Sequence, residues 1–204
     1  IFLDNRDRER FLILIFLSNS KKPFEISKKG SDDWSLDKSL NEIRGEQLVS
    51  IGAWCFMPNH FHILLREKTE GGISKFMLKL LTGYSSYFNK KYHRTGALFE
   101  GKFKADHTDS DVYLKYIYSY IHLNPIGIID KGWKKKKIED KSKAKKFIKK
   151  YEYSSYKDYL GEDRLQNKIL NREFFPDYFE SISKFEEMTN FWIENSEESF
   201  KVKN

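Results

Sequence analysis

Apolar residues recur along this chain in two rhythms. From Leu48 to Glu67 the sequence is almost continuously apolar until Pro58-Asn59 interrupts it, which predicts two strands, Leu48–Met57 and His60–Glu67, joined as an antiparallel hairpin. Elsewhere the spacing is helical. Asp4–Leu17 reads as a first helix, with Asp4 or Asn5 as its N-cap. Gly71-Gly72 breaks the chain ahead of a long helix, Ile73–Tyr92, in which Phe76, Met77, Leu80, Leu81, Tyr84, Tyr87 and Phe88 form one buried face. A third helix, capped by Asp109 or Ser110, runs to Asn124 and is closed by Pro125. Ala97–Asp106, with Lys102 and Lys104 alternating about Phe103, is expected to be a strand. Ser18–Ser35 is polar and reads as a flexible loop, and Leu36–Glu46 as a short helix or irregular chain. Tyr151–Leu160 is dense in tyrosine and serine, and the tail beyond Asn171 reads as acidic helical segments.

The order helix, strand, strand, helix, strand, helix predicts an α+β domain. It is one strand short of a ferredoxin-like antiparallel sheet with helices on one face, and the first strand is expected upstream of Ile1. The hydrophobic content of 39% with 16% aromatics predicts a chain with a real core. No apolar run reaches the roughly 18–20 residues of a membrane span. Phe11–Leu17 is too short and too close to charge to be a signal peptide. The single cysteine, Cys55, excludes an intramolecular disulfide or a cysteine-rich zinc site, and reads as a core filler in a cytosolic protein.

Charge changes the picture in one place. Of the net +7, the segment Lys131–Lys150 carries +9, from eleven lysines against Glu139 and Asp140. It reads as an insertion: either a solvated lysine-rich loop or a source of nonspecific affinity for a polyanion.

Candidate chemistry gathers at two points. On a strand, residues i and i+2 share a face, so His60 and His62 project side by side and offer two nitrogens to one divalent ion. In the helix Asp111–Asn124, Leu114, Ile117, Tyr118 and Ile121 should face the core, with Lys115, Ser119 and His122 opposite. Tyr120 and Asn124 lie within about 40° of each other at one edge of the buried stripe, where a side chain can touch both protein and ligand. Four tyrosines, Tyr113, Tyr116, Tyr118 and Tyr120, share this helix, and Tyr120 is the best placed nucleophile. Taken alone, Asn124-Pro125 is also an ordinary helix stop.

The segments MPNHFHILL, GALFEGKFKA and YLKYIYSYIHLNP together resemble the REP-associated tyrosine transposases, members of the histidine-hydrophobic-histidine single-tyrosine DNA endonucleases. The resemblance runs from IFLDNRDRERFL through YSSYKDYLG. It implies that residues 1–130 form a catalytic domain, with 131–204 a lysine-rich insertion and helical extension packed on it. It further implies that His60, His62 and Asn124 hold Mg²⁺ or Mn²⁺ and that Tyr120 attacks DNA to leave a 5′-phosphotyrosine. The substrate would be single-stranded DNA carrying a hairpin or palindromic repeat, and the setting a bacterial cytoplasm, nucleoid-associated when bound. Nitrogen donors alone suit Zn²⁺ or Mn²⁺ better than Mg²⁺. Lys102 and Lys104, and less so Arg94 and Lys79, are candidate phosphate contacts. This chain has Gly127 where such proteins often carry a basic residue two places after the Asn-Pro proline. One nucleophile per chain requires a homodimer or reuse of one site. The competing readings are a catalytically silent nucleic-acid-binding protein of the same fold and a zinc hydrolase built on the two histidines.

Overall fold

The structure is a computed structural model that describes residues 1–22, 35–134 and 136–195. Most of the expected Ser18–Ser35 loop and the end of the acidic tail lie outside these residues. In chain order the elements are α1 (Asn5–Ser18), α2 (Leu36–Leu40), β1 (Val49–Phe56), β2 (Phe61–Glu67), α3 (Gly72–Lys91), α4 (Asp111–Leu123), α5 (Ile126–Ile129), α6 (Lys141–Lys150), α7 (Tyr156–Tyr159) and α8 (Ile182–Glu194), with two short 3₁₀ turns between α7 and α8.

Helix α1 starts at a capping box: Asp7 N donates to Asp4 Oδ1 at 2.9 Å, and Asp4 N donates back to Asp7 Oδ2 at 3.3 Å. The Asp7 carboxylate is buried and is used a second time. It accepts from Leu3 N, from the Tyr87 and Tyr92 hydroxyls and from Lys91 Nζ at 2.7 Å, which fastens α1 to α3. Burial pushes its pKa up, but the hydrogen bonds from Lys91, Tyr92, Leu3 and Tyr87 outweigh that and hold it below the usual carboxylate range.

The hairpin pairs β1 and β2 antiparallel, with Cys55 opposite His62 and Phe56 opposite Phe61. Its register slips by one residue between Ile51 and Ala53. A Cβ at Gly52 would stand 2.9 Å from Tyr118 Oη and 3.0 Å from both Leu64 and Phe175, so glycine and bulge together admit these side chains. Alternation sends Phe56 and Phe61 to one face, where the Phe11 ring lies 5.1 and 4.8 Å from theirs and 4.9 Å from that of Tyr84 on α3. Cys55 and His62 face the other way, toward α4.

Strand β1 is buried along its whole length. Its outer edge is closed by a short extended piece just before α7. Phe56 N donates to Tyr153 O at 2.8 Å and Ser155 N to Trp54 O at 2.9 Å, around an antiparallel bridge between Cys55 and Ser154. Further along, Tyr159 Oη donates to Gly52 O at 2.7 Å and Asn171 N to Ile51 O at 2.9 Å.

The α+β class stands, and four expectations are corrected. Ala97–Asp106 is irregular, so the sheet among the described residues has two strands. Leu98 and Phe99 pack partly against the core, but Phe103, the apolar residue of the Lys102–Lys104 alternation, is itself exposed, so that alternation has no buried face to reward pairing. Helices flank both faces of the hairpin instead of one, because β1 is apolar on both faces. On α4, Ser119 and His122 are fully buried instead of outward. His122 Nε2 lies 2.7 Å from Ser155 Oγ, and its ring lies 5.1 and 5.2 Å from those of Tyr159 and Phe185. Segments distant in sequence cover that side. The lysine block is also more ordered than a solvated loop: Asp140 caps α6, which buries Ala144 and Ile148 and pairs Lys141 and Lys145 with Glu194 (2.7 and 2.9 Å) and Lys149 with Glu186 (2.6 Å).

Candidate active site

The hairpin turn closes where Met57 N donates to His60 O at 2.8 Å, placing His60 at the mouth of β2 and His62 one pleat further in. The two imidazole rings lie 5.0 Å apart, nearly perpendicular. On the same face the ring of Tyr120 lies 5.4 Å from that of His62, also edge to face. Strand and helix thus bring together three side chains that sequence separates by about sixty residues.

His60 Nδ1 lies 2.7 Å from Asn59 Oδ1. With the amide oxygen as acceptor, Nδ1 carries the proton and Nε2 keeps its lone pair. His62 Nε2 is buried with no hydrogen-bond partner among the described residues. Burial, then the charges of His60 and Lys134, depress the His62 pKa to about 3. Burial and then Lys134 also lower that of His60. Both imidazoles are therefore predominantly neutral near pH 7, the form that ligates metal. A buried polar nitrogen without a partner is costly unless something else satisfies it. The donor set fits a divalent cation on that ground.

Helix α4 begins with Ser110 Oγ accepting from Tyr113 N at 3.3 Å. Its tyrosines then diverge. The rings of Tyr113, Tyr116 and Tyr120 form a ladder at 5.8 Å steps, with Trp192 of α8 5.2 Å from Tyr116. Tyr118 turns to the buried side, among Tyr159, Phe175, Tyr178 and Phe179. Asn124 is buried just beyond the helix, and both its backbone N–H and its Nδ2 donate to Tyr120 O, at 3.1 and 2.6 Å. That amide nitrogen is thus bound to the helix itself, below the tyrosine.

Among the candidate phosphate contacts, Lys102 and Lys104 are exposed on the irregular segment instead of sharing a strand face. Arg94 is exposed, with its guanidinium 5.6 Å from the Phe88 ring centre. Lys79 has a different role: Nζ donates to the carbonyls of Ser20 and Lys22, at 2.5 and 3.1 Å, just past the end of α1.

One site residue escaped the sequence reading. Lys134 Nζ donates to Tyr120 Oη at 2.6 Å and lies 4.3 Å from the centre of that ring. Eleven lysines in twenty residues carry no mark of which one does this. The buried tryptophan among them, Trp133, is the available signal, since an aromatic residue inside a charge run must be anchored somewhere.

The structure thus sets a strand-borne histidine pair against a helix-borne tyrosine. The family model of IS200-like transposases matches residues 14–124, and the chain belongs to that family. No curated protein matches it, and no solved structure does. No helix among the described residues is long and apolar enough to cross a membrane.

Proposed function

We propose that this transposase acts as a metal-dependent endonuclease and strand transferase on single-stranded DNA, in the manner of the REP-associated tyrosine transposases. Its substrate is a hairpin-forming repeat, and Tyr120 is its nucleophile. The observation that carries the reading is the Tyr120 ring packed 5.4 Å from that of His62, itself 5.0 Å from that of His60.

His60 and His62 would hold a divalent cation, with the Asn124 amide oxygen as the further donor. When bound, Mg²⁺ or Mn²⁺ supplies Lewis-acid polarisation of the scissile phosphate. The phenolic oxygen of Tyr120 forms a bond to phosphorus as the bond from phosphorus to the 3′-oxygen breaks. The phenolic proton passes to solvent, and the departing 3′-oxygen takes one up as a hydroxyl. The 5′-phosphotyrosine retains the bond energy, so a 3′-hydroxyl can reverse the step without a nucleotide cofactor. Lys102, Lys104 and Arg94 are free to follow the backbone of the strand, whereas Lys79 is committed to the fold.

Incubation with single-stranded hairpin DNA and Mn²⁺, followed by denaturing electrophoresis, tests this. A covalent protein–DNA band that disappears in Tyr120→Phe supports the reading. Binding without any adduct, across many hairpins, favours a catalytically silent DNA-binding protein. A zinc hydrolase would cleave equally well without Tyr120, and it would need a third ligand. Among the described residues no cluster of three His, Cys, Asp or Glu exists.

A further inference from the structure

We infer that Lys134 is a positioning residue for the Tyr120 nucleophile, holding the phenolic oxygen at the histidine pair and stabilising the negative charge that grows there as the proton leaves. The inference rests on the phosphotyrosine reading and adds a group to it from outside the residues matched by the family.

The lysine is held in place by its neighbour. The Trp133 indole is buried beside α4 and α5, with its ring 6.5 Å from that of Tyr120. Gly127, on α5, gives the indole its seat, since a Cβ there would stand 3.0 Å from Trp133 Nε1 and 3.4 Å from Cδ1. With Trp133 fixed, the next side chain reaches back over the tyrosine, and Lys134 Nζ rests 2.6 Å from Oη and 5.4 Å from the centre of the Trp133 ring. The site therefore brings a cation to the atom on which charge develops.

An ammonium carries three donors. One directed at Oη leaves up to two for the non-bridging oxygens of an incoming phosphate. Because Lys134 donates, it does not remove the phenolic proton; it lowers the energy of the oxygen left behind. The fixed distance also limits where Oη sits when the strand arrives, which is a gain in orientation. In the bond exchange described above the lysine forms and breaks no covalent bond.

The test compares wild type, Lys134→Met and Lys134→Arg by single-turnover adduct formation across a range of hairpin DNA concentrations with Mn²⁺. The expected result is a rate at saturating DNA about a hundredfold lower in Lys134→Met, the scale of a lost charge-stabilising donor. Half-saturation should change much less, with part of the rate restored in Lys134→Arg. If the wild type forms adduct and Lys134→Met matches its saturated rate, the inference is overturned and the phosphotyrosine reading stands. If the wild type forms no adduct with any hairpin, the reading itself fails and takes the catalytic half of the inference with it. A second measurement needs no turnover. With 3-fluorotyrosine incorporated, the Tyr120 ¹⁹F resonance, assigned through Tyr120→Phe, should move in Lys134→Met while thermal melting is retained. An unmoved resonance overturns the contact whatever the activity.

Discussion

At the scale of single residues, the clearest structural test lies at Asp7. Its carboxylate is buried, paired with Lys91 and hydrogen-bonded by two tyrosines. Removing one partner of a buried pair leaves the other uncompensated, so Asp7→Ala should cost about 3–5 kcal/mol in a denaturant titration. Because its folded pKa is depressed, the stabilisation is complete above the unfolded carboxylate value, near 3.8, and is lost as pH falls through the folded value. Wild type should therefore lose melting temperature below about pH 4 more steeply than Asp7→Asn, which has nothing to titrate there. Gly52 is a second such position. Alanine there would press on Tyr118 Oη, Leu64 and Phe175, and a loss of about 1–3 kcal/mol is expected from overpacking. Urea midpoints of Gly52→Ala and wild type measure it.

At the scale of elements, the regular pieces were legible because their patterns are local. The capping residues Asp4 and Ser110, the Pro58-Asn59 turn and the three-and-four spacing of α3 each specify an element from within a few residues. The two histidines and Tyr120 were legible for a related reason, since their strand and helix periodicities each name a face. What failed depended on partners elsewhere in the chain. Ala97–Asp106 has strand-like alternation but no strand beside it among the described residues. His122 reads as surface until Ser155 and Phe185 close over it. Lys134 could not be chosen among its neighbours without the seat that Gly127 gives Trp133. That dependence is itself testable: Gly127→Ala should displace the indole and lower the rate of adduct formation in the same direction as Lys134→Met, with a smaller effect. Single-turnover kinetics on the same hairpin would show it.

At the scale of the whole molecule, the six lysines of α6 divide into two sets. Lys141, Lys145 and Lys149 are engaged with acidic residues of α8, whereas Lys143, Lys146 and Lys150 are exposed on α6. The exposed set is available to a polyanion. Each phosphate neutralised on a single strand contributes about 0.7 to the slope of log affinity against log salt. Replacing Lys143, Lys146 and Lys150 by glutamine should therefore flatten that slope by about two units if all three meet the DNA. An unchanged slope would assign the exposed set a passive role.

The chain beyond the matched residues has a consequence for how this transposase can be dissected. Tyr153, Ser155 and Asn171 saturate main-chain groups of the innermost strand, and Tyr159 and Phe185 roof over a histidine two residues before the match ends. A fragment trimmed to residues 14–124 would present an unpaired apolar β edge to every other copy in solution, the ordinary route into aggregates. The span by which the family is recognised therefore leaves out residues that cover its strand and helix, and truncations intended to isolate a minimal unit should keep the chain through α8.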